Sequence, residues 1–407
     1  MYRFLATAAL LFGLLMTCTL QAQPTGLDPS FDGDGERLNP FPGLTLGSGD
    51  TYLQRLGLDH QERILLAGQD GAFGSRRGIV GRLLANGSVD TTWAGSGFSV
   101  LDQRTDMRVA DLVALPDGGA LVCGDYRGTT PNRSWVFVAR FLGNGQLDPT
   151  FASASATPGI HFAEPAGFDD FNCIDLELLA DGRVMVAGGS FNVAQQTIMP
   201  ALMRLTATGA IDTSFAVVGH VRLNVTLGTP SGTSSYAVAM AEQPGSGIPV
   251  YLYDVVREAG AVLRLRMDGS VDEQFSPTLY NANQIGENWL SVNSVGVLPD
   301  GRLRIMRPLR SLVPRSYTVI DDRQVDGLPG SMTLGTLEAP GANDHLFSNG
   351  IATGPDGRML VVSRLGLAPD NCRRQMRFLH LARRLPNGGA DTSFGSNGQH
   401  SRFPLTP

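Results

Sequence analysis

One twelve-residue segment, RLTATGAIDTSF at 204–215, decides the fold, because close copies of it recur about every sixty residues. In each copy, an Asp is followed three residues later by a large aromatic side chain. These pairs are Asp28 with Phe31, Asp90 with Trp93, Asp148 with Phe151, Asp212 with Phe215, Asp272 with Phe275 and Asp391 with Phe394. A degenerate copy has Ser331 and Leu334 in the two places. A long fixed period indicates one supersecondary unit stacked on copies of itself.

An Arg stands eight residues before all but the first of these Asp or Ser positions. These residues are Arg82, Arg140, Arg204, Arg264, Arg323 and Arg383. Each Arg lies in an otherwise apolar strand, where a charge is costly unless it is paired. We therefore predict a structural staple: the Arg pairs with the Asp of its own or an adjacent repeat, the Asp caps the turn, and the aromatic fills the gap between repeats. The alternative is a ring of charged binding sites, but a binding site usually occurs once rather than in every unit.

The rest of each repeat predicts four short strands. In residues 107–166, the turn Pro116-Asp117-Gly118 joins two apolar strands, because Pro presets φ and Gly accepts a positive φ. A third strand covers 135–142, and a fourth opens at Gly159. Tandem units of this kind, without a convincing helical period, predict an all-β, six-bladed β-propeller. A seven-bladed propeller and an open β-solenoid are the alternatives.

The repeats are longer than typical propeller blades, and the surplus lies in variable loops. These loops include 69–77, 125–134, 189–199 and 364–376. Propellers commonly bind through such loops, which is an analogy at the level of the fold.

The first 22 residues predict a secretory signal peptide. Arg3 supplies the positive charge, residues 5–15 form a short apolar core, and cleavage is expected after Ala22. A lipoprotein signal acylated at Cys18 is the alternative. No later segment has eighteen uninterrupted apolar residues, so no transmembrane segment is expected.

We expect residues 23–407 to form one propeller of six repeats followed by a closing strand. The approximate repeats are 32–93, 94–151, 152–215, 216–275, 276–334 and 335–394, and the closing strand lies at 397–405. This strand either competes with residues 36–40 for one place in the ring or pairs beside them.

Charge and cysteine content exclude several classes of protein. The net charge is −6 and no basic run occurs, so we expect no nucleic-acid partner. Cys123, Cys173 and Cys372 remain after processing, and an odd, low number is not a disulfide framework. Cys123 and Cys173 fall in neighbouring repeats, and an oxidising compartment would allow one bond between them. Buried free thiols are the alternative.

Three segments resemble the delta-60 repeat family: DGRVMVAG at 181–188, LMRL at 202–205 and GAIDTSF at 209–215. That family's repeat has a similar turn, an Arg-Leu strand and an Asp-Thr-Ser-Phe close. The resemblance covers nearly the whole chain after residue 22, and only repeats four and five depart from it, at 243–253 and 324–335. It implies an exported bacterial protein with a propeller-like fold and an uncertain role, and it supplies no catalytic residues.

The familiar catalytic and cofactor motifs are absent from the sequence, so we predict no catalytic or cofactor-binding residue. Asp32 and Asp34 are weak calcium candidates, and a Gly-rich turn is the simpler interpretation. His161 and His400 share a register, with His220 one residue away. These histidines could bind a metal in the channel if their strand were the innermost one. Surface histidines are the simpler interpretation.

The sequence therefore predicts a secreted or periplasmic, monomeric binding or scaffold module that contacts a protein or glycan through its loops. The alternative is an extracellular hydrolase or lyase acting on a polymer, with a site in the channel or on one loop face. Converging carboxylates with shifted pKa values would favour the enzyme. A loop face with exposed aromatics would favour binding. The acidic pairs at 169–170 and 321–322 are interpreted as solvated loop residues.

Overall fold

The computed structural model describes most of the chain after residue 51. The described residues are 30, 32, 41, 52–128, 133–194, 196–216, 218–224, 235–256, 259–280, 294–310, 316–337, 344–353, 356, 358–367, 376–394 and 399–401. Within these ranges the chain forms six four-stranded antiparallel sheets and no helix. The observed architecture is therefore all-β, as predicted.

Each of the first three sheets takes four consecutive strands in chain order. The first contains β1 (Tyr52–Leu58), β2 (Ile64–Asp70), β3 (Arg77–Leu83) and β4 (Phe98–Leu101). The second contains β5 (Arg108–Ala114), β6 (Ala120–Arg127), β7 (Ser134–Phe141) and β8 (Ile160–Ala163). The third contains β9 (Asn172–Leu178), β10 (Val184–Asn192), β11 (Thr197–Leu205) and β12 (His220–Arg222).

The last three sheets have the same strand order. The fourth contains β13 (Ser235–Met240), β14 (Ile248–Asp254), β15 (Ala259–Leu265) and β16 (Thr278–Tyr280). The fifth contains β17 (Ser294–Val297), β18 (Leu303–Arg310), β19 (Ser316–Arg323) and β20 (Pro329–Leu337). The sixth contains β21 (Asp344–Thr353), β22 (Met359–Leu367), β23 (Met376–Arg384) and β24 (Gln399–Ser401).

The hairpin between the first two strands of a sheet is closed by the Asp-Gly turn that the sequence predicts. In the second sheet, Asp117 Oδ1 accepts the Gly119 N–H at 2.9 Å, and Gly118 has a φ of 80°. In the third sheet, Asp181 Oδ1 accepts the Arg183 N–H at 3.0 Å. A short carboxylate acceptor and a residue that tolerates positive φ together fix this turn.

The first strands of consecutive sheets pack against one another in the order β1, β5, β9, β13, β17 and β21. The fourth strand of each sheet therefore lies at the opposite, outer edge. Between the sheets lies an apolar core that includes Val122, Phe137 and Leu176, which are at most 3% exposed. Sheets that stack face to face around their first strands are typical of a β-propeller.

The inner strand of the first sheet has one uncovered side. Leu112 in β5 is 8% exposed because it packs towards Gly57 of the first sheet, whereas Leu56 and Leu58 in β1 are 64% and 60% exposed. Closure of the ring by the last sheet, which would cover these two leucines, stays a prediction. In the sixth sheet, β24 pairs with β23 as the fourth strand. Residues 36–40, which could compete with it, lie outside the described residues.

Candidate functional site

The propeller has two ends that differ in construction. Because neighbouring strands are antiparallel, the 1–2 and 3–4 connections of every sheet open at one end, and the 2–3 connections and the links to the next sheet open at the other. We call the first end the staple face; it includes the turns at 84–97 and 115–119. We call the second end the loop face; it includes the connections at 71–76 and 102–107.

The predicted Arg and Asp partners meet on the staple face. In four repeats the Arg Nε lies 2.7–2.8 Å from an Asp oxygen: Arg82 with Asp90, Arg204 with Asp212, Arg264 with Asp272 and Arg383 with Asp391. In a fifth repeat, Arg140 lies 3.2 Å from Asp148. Where Ser331 replaces the Asp, the buried Nε of Arg323 has no hydrogen-bond partner among the described residues.

In four repeats, the aromatic residue three positions after the Asp packs under the paired guanidinium. The guanidinium carbon lies 4.8–5.0 Å from the ring centroid in four repeats: Arg82 on Trp93, Arg204 on Phe215, Arg264 on Phe275 and Arg383 on Phe394. Phe151 is 1% exposed in the second repeat. A cation stacked on an aromatic face gains electrostatic and packing energy together.

The same residues also link each sheet to the next one. Arg82 Nη1 donates to the Gly118 carbonyl of the second sheet at 2.8 Å, and the N–H of Ala94 donates to the Asn144 carbonyl at 2.7 Å. A Cβ on Gly145, which has a φ of 80°, would lie 2.8 Å from the Trp93 ring. The aromatic of the first repeat thus lies directly under a glycine turn of the next sheet.

The predicted role of the aromatics, filling the gap between repeats, does not hold equally in every repeat. Phe215 and Phe275 are 0% and 3% exposed, and a Cβ on Gly269 or Gly327 of the next sheet would lie 3.0 and 2.7 Å from their rings. Phe394 departs from the prediction, because it is only half-buried. It belongs to the sixth sheet, after which the described part of the chain supplies no further sheet to cover the ring.

These contacts favour the ionised form of Asp90 and Asp212. Burial opposes ionisation of Asp212, but the hydroxyl and backbone N–H of Ser214 and the charge of Arg204 lower its pKa to about 2. Hydrogen bonds from Thr92 and Arg82 likewise lower the pKa of Asp90 against the effect of burial. The carboxylates of these two staples are therefore engaged in structural contacts.

A different set of charged residues lies on the inner strands. Arg55 Nε in β1 lies 3.0 Å from Asp111 Oδ1 in β5. Asp111 Oδ2 accepts the Leu176 N–H at 2.9 Å, and Asp175 Oδ2 accepts the Met240 N–H at 2.7 Å. Each acid therefore reaches from its own inner strand to the backbone of the next.

A strand irregularity positions these acids. The pairing register shifts between Val109 and Asp111 in β5 and between Cys173 and Asp175 in β9. Corresponding shifts in other sheets place Ala239 and Gly350 at the same point. A bulge re-aims the side chain that follows it. Because the acids occur in only some repeats, they differ from the staples, which follow the period.

We call Asp111, Asp175 and Glu177 the inner acidic cluster. Desolvation raises the pKa of Asp111 and, with added repulsion from Asp111 and Glu177, raises that of Asp175 well above its usual value. Desolvation, with the charges of Glu242 and Asp111, raises the pKa of Glu177 to about 7. Since Arg55 adjoins Asp111, it favours the negative charge on Asp111 over Asp175. A protonated acid beside an ionised one is an arrangement that can serve acid–base chemistry.

The sequence analysis missed this cluster. The short segments VADLVA at 109–114 and CIDLEL at 173–178 carry acids inside apolar strands, and this pattern is the only signal for them. It has no motif spacing, because the partners come from different repeats. Only the stacking of β5, β9 and β13 brings the acids together.

The loop face carries an exposed aromatic residue. Phe73 is 79% exposed, and the guanidinium carbons of Arg76 and Arg127 lie 4.9 and 5.7 Å from its ring centroid. Arg76 is held by a bidentate ion pair with Asp106, at 2.7 and 2.8 Å. The loop that presents Phe73 is therefore anchored at its base.

A second arginine–aromatic pair is linked to Phe73 and Arg127 through the backbone. The Arg104 guanidinium carbon is 4.4 Å from the ring centroid of Phe162, which meets Tyr126 edge-on at 5.2 Å. The backbone N–H of Arg127 donates to the Thr105 carbonyl at 2.8 Å, which joins the two stacked pairs. We call Phe73, Arg104, Arg127 and Phe162 the arginine–aromatic patch.

Two segments of the chain, residues 63–92 and 179–215, match the family model described as "Domain of unknown function (DUF5122) beta-propeller". Each matched segment contains a second strand, a third strand and an Arg–Asp staple. The prediction of an all-β propeller is therefore confirmed. The match supports a propeller-repeat family without singling out the delta-60 repeat, so that assignment and the blade number stay predictions.

No curated protein matches the sequence. Among solved structures, the endo-arabinase from Bacteroides thetaiotaomicron VPI-5482 is 13% identical with a TM-score of 0.35, covering 65% of this chain and 90% of that one. A chain from a structural and mechanistic analysis of two prolyl endopeptidases is 12% identical with a TM-score of 0.40, covering 82% of this chain and 46% of that one. This chain thus spans less than half of that protein. Likenesses this distant carry no argument about activity.

The structure also decides between the alternatives for the cysteines. Cys123 in β6 and Cys173 in β9 form a disulfide between the second and third sheets, with Cα atoms 6.2 Å apart. The alternative of buried free thiols is therefore wrong for this pair. Cys372 lies outside the described residues.

The metal candidates are not brought together. The channel hypothesis for His161 and His220 is wrong, because β8 and β12 are outer strands. The N–H of Asp32 donates to the Asn86 carbonyl at 2.6 Å, while Asp34 lies outside the described residues. Within the described ranges, no three His, Cys, Asp or Glu side chains are placed to hold an ion. The side chain of His400 lies outside the described part of the structure.

The two acidic pairs are not simply solvated. Asp170 is half-buried and accepts the Phe191 N–H at 2.5 Å, and burial raises its pKa. Asp321 is 7% exposed within β19 rather than on a loop. Among the described residues, no helix is long and apolar enough to cross a membrane.

Proposed function

We propose that this protein is an exported β-propeller that binds a partner through its loop face. The observation that carries the proposal is Phe73, a 79% exposed aromatic with the Arg76 and Arg127 guanidiniums 4.9 and 5.7 Å from its ring centroid, on an anchored loop. Aromatic and Arg side chains dominate the energy of binding surfaces.

The contrast between the two faces supports this proposal. The staple face is occupied by contacts that recur from sheet to sheet, so its side chains are committed to assembly. The loop face contains connections that lack the recurring Arg–Asp pattern, such as those at 71–76 and 102–107. Binding residues are commonly carried on loops that a rigid scaffold positions.

Two further features support export. The N-terminal segment has the charge and apolar pattern of a signal peptide. The Cys123–Cys173 disulfide is of a kind that persists in oxidising compartments. The partner would then be a protein or glycan of the periplasm or cell surface, and the propeller would act as a monomer.

Binding of the chain from residue 23 to immobilised polysaccharides and envelope proteins tests the proposal. We expect Phe73→Ala to weaken retention of the bound partner about tenfold, as loss of one hot-spot side chain does. Val271→Ala is the matched control, because Val271 is also exposed, at 42%, but lies in a turn of the staple face. Equal retention of the wild type and Phe73→Ala would contradict the proposal.

A second candidate function is a hydrolase or lyase acting on an extracellular polymer. The inner acidic cluster favours it, because it brings together carboxyl groups with raised pKa values beside Arg55, and the Asp111 side chain is 16% exposed. Release of reducing ends, or of an unsaturated product, from the same polysaccharides tests this function. Asp175→Asn would abolish turnover and leave retention on the loop face unchanged.

A further inference from the structure

We propose that the arginine–aromatic patch binds an acidic polysaccharide, with a sugar ring stacked on Phe73 and uronate carboxylates held by Arg127 and Arg104. This inference rests on the proposed binding function and names its ligand class. It follows from which arginines of the loop face have partners and which do not.

Several of the described arginines at this end of the molecule are neutralised. Arg76 pairs with Asp106, Arg77 with Asp70 and Arg108 with Asp125. Among the described residues, Arg104 and Arg127 have no carboxylate partner, and the adjoining segment 129–132 reads TTPN, without an acid. In a chain of net charge −6, two neighbouring unpaired guanidiniums are a local exception.

The geometry leaves these guanidiniums available. A guanidinium that stacks face-on on an aromatic ring keeps its N–H groups at its edge, where they can meet a carboxylate bidentately. Arg104 Nη1 donates one hydrogen bond, to the Gln103 carbonyl at 3.2 Å, and the Arg104 side chain is exposed. Arg127 makes no side-chain hydrogen bond within the described part of the chain.

The aromatic rings select a ligand with an apolar face. Phe73 exposes its ring beside the guanidinium of Arg127, so one ligand unit can use both surfaces at once. A pyranose ring presents C–H groups on its face and, in a uronic acid, a carboxylate at its edge. This combination matches an aromatic platform with an adjoining arginine.

One acid belongs to the surroundings of the patch. Glu164 accepts a hydrogen bond from the Tyr126 hydroxyl at 3.1 Å, and burial together with Glu164 raises the pKa of Tyr126, so the phenol remains a donor. The Glu164 charge opposes an anionic ligand. Removing it should therefore strengthen binding.

The charge balance disfavours nucleic acid. Affinity for a phosphate backbone grows with the number of phosphates neutralised, and two free arginines on an acidic protein supply few such contacts. An acidic peptide offers carboxylates but no ring face for Phe73. Both ligands serve as comparison probes.

The test is titration of the chain from residue 23 with polygalacturonate, its methyl-esterified form, poly-glutamate and single-stranded DNA. We expect polygalacturonate to bind, the ester to bind at least about tenfold more weakly, and added salt to weaken binding. Phe73→Ala and Arg127→Met should each cost about tenfold. Glu164→Gln should tighten binding. Arg266→Met, which removes an exposed charge on the staple face, is the matched control and should change nothing.

Each outcome decides the inference, provided that circular dichroism shows the variants folded. Equal binding of the polymer and its ester, no binding of polygalacturonate, or stronger binding of poly-glutamate or DNA overturns the ligand class. If another probe then binds and Phe73→Ala weakens it, the loop-face function survives. If a bound probe is unaffected by Phe73→Ala, the ligand class and the loop-face function both fail.

Discussion

The staple face and the loop face both contain arginines stacked on aromatic rings, but in different electrostatic surroundings. On both faces an arginine stacks on an aromatic ring, as Arg204 does on Phe215 and Arg127 on Phe73. Arg204 is 1% exposed and ion-paired, whereas Arg127 has no carboxylate partner among the described residues. The ionic partner of an arginine, more than its stacking on a ring, therefore separates a structural contact from a binding contact.

The largest expected effect comes from orphaning a staple. Arg204→Met leaves Asp212 without its buried partner, so we expect the free energy of unfolding to fall by about 3 kcal/mol or more. Urea denaturation measures this change. Arg266→Met, which removes a 48% exposed arginine near Asp272, should change stability by less than about 0.5 kcal/mol. An Arg204→Met chain as stable as the wild type would remove the basis of the contrast between the faces.

The disulfide between the second and third sheets provides a second test of what stabilises the contacts between sheets. Replacing Cys123 and Cys173 by Ala should lower stability by about 2–3 kcal/mol, because the unfolded chain loses a cross-link between distant residues. The wild type under reducing conditions should behave like the variant. Thiol titration of the unfolded, non-reduced chain from residue 23 should detect one thiol, that of Cys372. Three thiols would show that the bond does not form.

Two glycines with nearly the same backbone conformation, one on each face, allow the packing of the two faces to be compared. Gly209 on the staple face has a φ of 79°, and a Cβ there would lie 2.7 Å from the Ala152 N and 2.8 Å from the Phe151 ring. Gly167 on the loop face has a φ of 81° and open space around the same position. Both Ala variants pay the cost of left-handed backbone, about 1 kcal/mol, but only Gly209→Ala also overpacks.

We therefore expect Gly209→Ala to be less stable than Gly167→Ala by about 1–2 kcal/mol in thermal or urea denaturation. Equal losses of stability in the two variants would mean that the turn at Gly209 can move away from the Phe151 ring at little cost. The staple face would then be no more tightly packed than the loop face.

The sequence predicted the parts of the molecule that follow a period. The spacing of Arg204 and Asp212 was enough to predict a pair, because each repeat carries its own copy and the two positions are close in the chain. The four-strand order followed from the turn at Asp117 and the strands around it. The inner acidic cluster could not be predicted, because Asp111 and Asp175 meet only after two sheets stack.

Burial of the aromatics also depends on neighbours that the period does not show. Phe215 and Phe394 occupy the same place in their repeats, yet Phe215 is fully buried and Phe394 is half-buried. The sequence predicts the ring under its arginine in both repeats. It does not predict whether another sheet lies above that ring.

For the arginine–aromatic patch, the sequence predicted the variable loop that carries it but not the residues that form it. The loop 69–77 was recognised as variable, which is where Phe73 lies. Whether an arginine there is neutralised depends on acids from the next sheet, as Asp106 shows for Arg76. The sequence alone does not show which charges on neighbouring loops cancel.

The pH dependence of stability distinguishes the inner strands from the staple face, with an expected effect no larger than that of the glycine pair. The pKa of Glu177 rises from an ordinary 4.5 to about 7 in the fold, so between these values the folded chain keeps a proton that the unfolded chain has released. Its contribution to stability is therefore full below pH 4.5 and is lost as pH rises through about 7. Asp212, with its pKa lowered to about 2, has the opposite sign: it stabilises above pH 3.8 and loses this as pH falls towards 2.

Glu177→Gln should remove only the first of these dependences. Glutamine keeps an oxygen that can accept the Glu242 N–H, at 3.3 Å in the wild type, and it cannot ionise. We expect the wild type to lose about 1–2 kcal/mol more stability than Glu177→Gln between pH 4.5 and 8, since the side chain is partly reached by solvent. Urea denaturation at several pH values measures the difference, and parallel pH profiles would mean that Glu177 is ionised in the fold. The inner strands would then carry one more negative charge beside Asp175, and their pH dependence would no longer oppose that of Asp212 on the staple face.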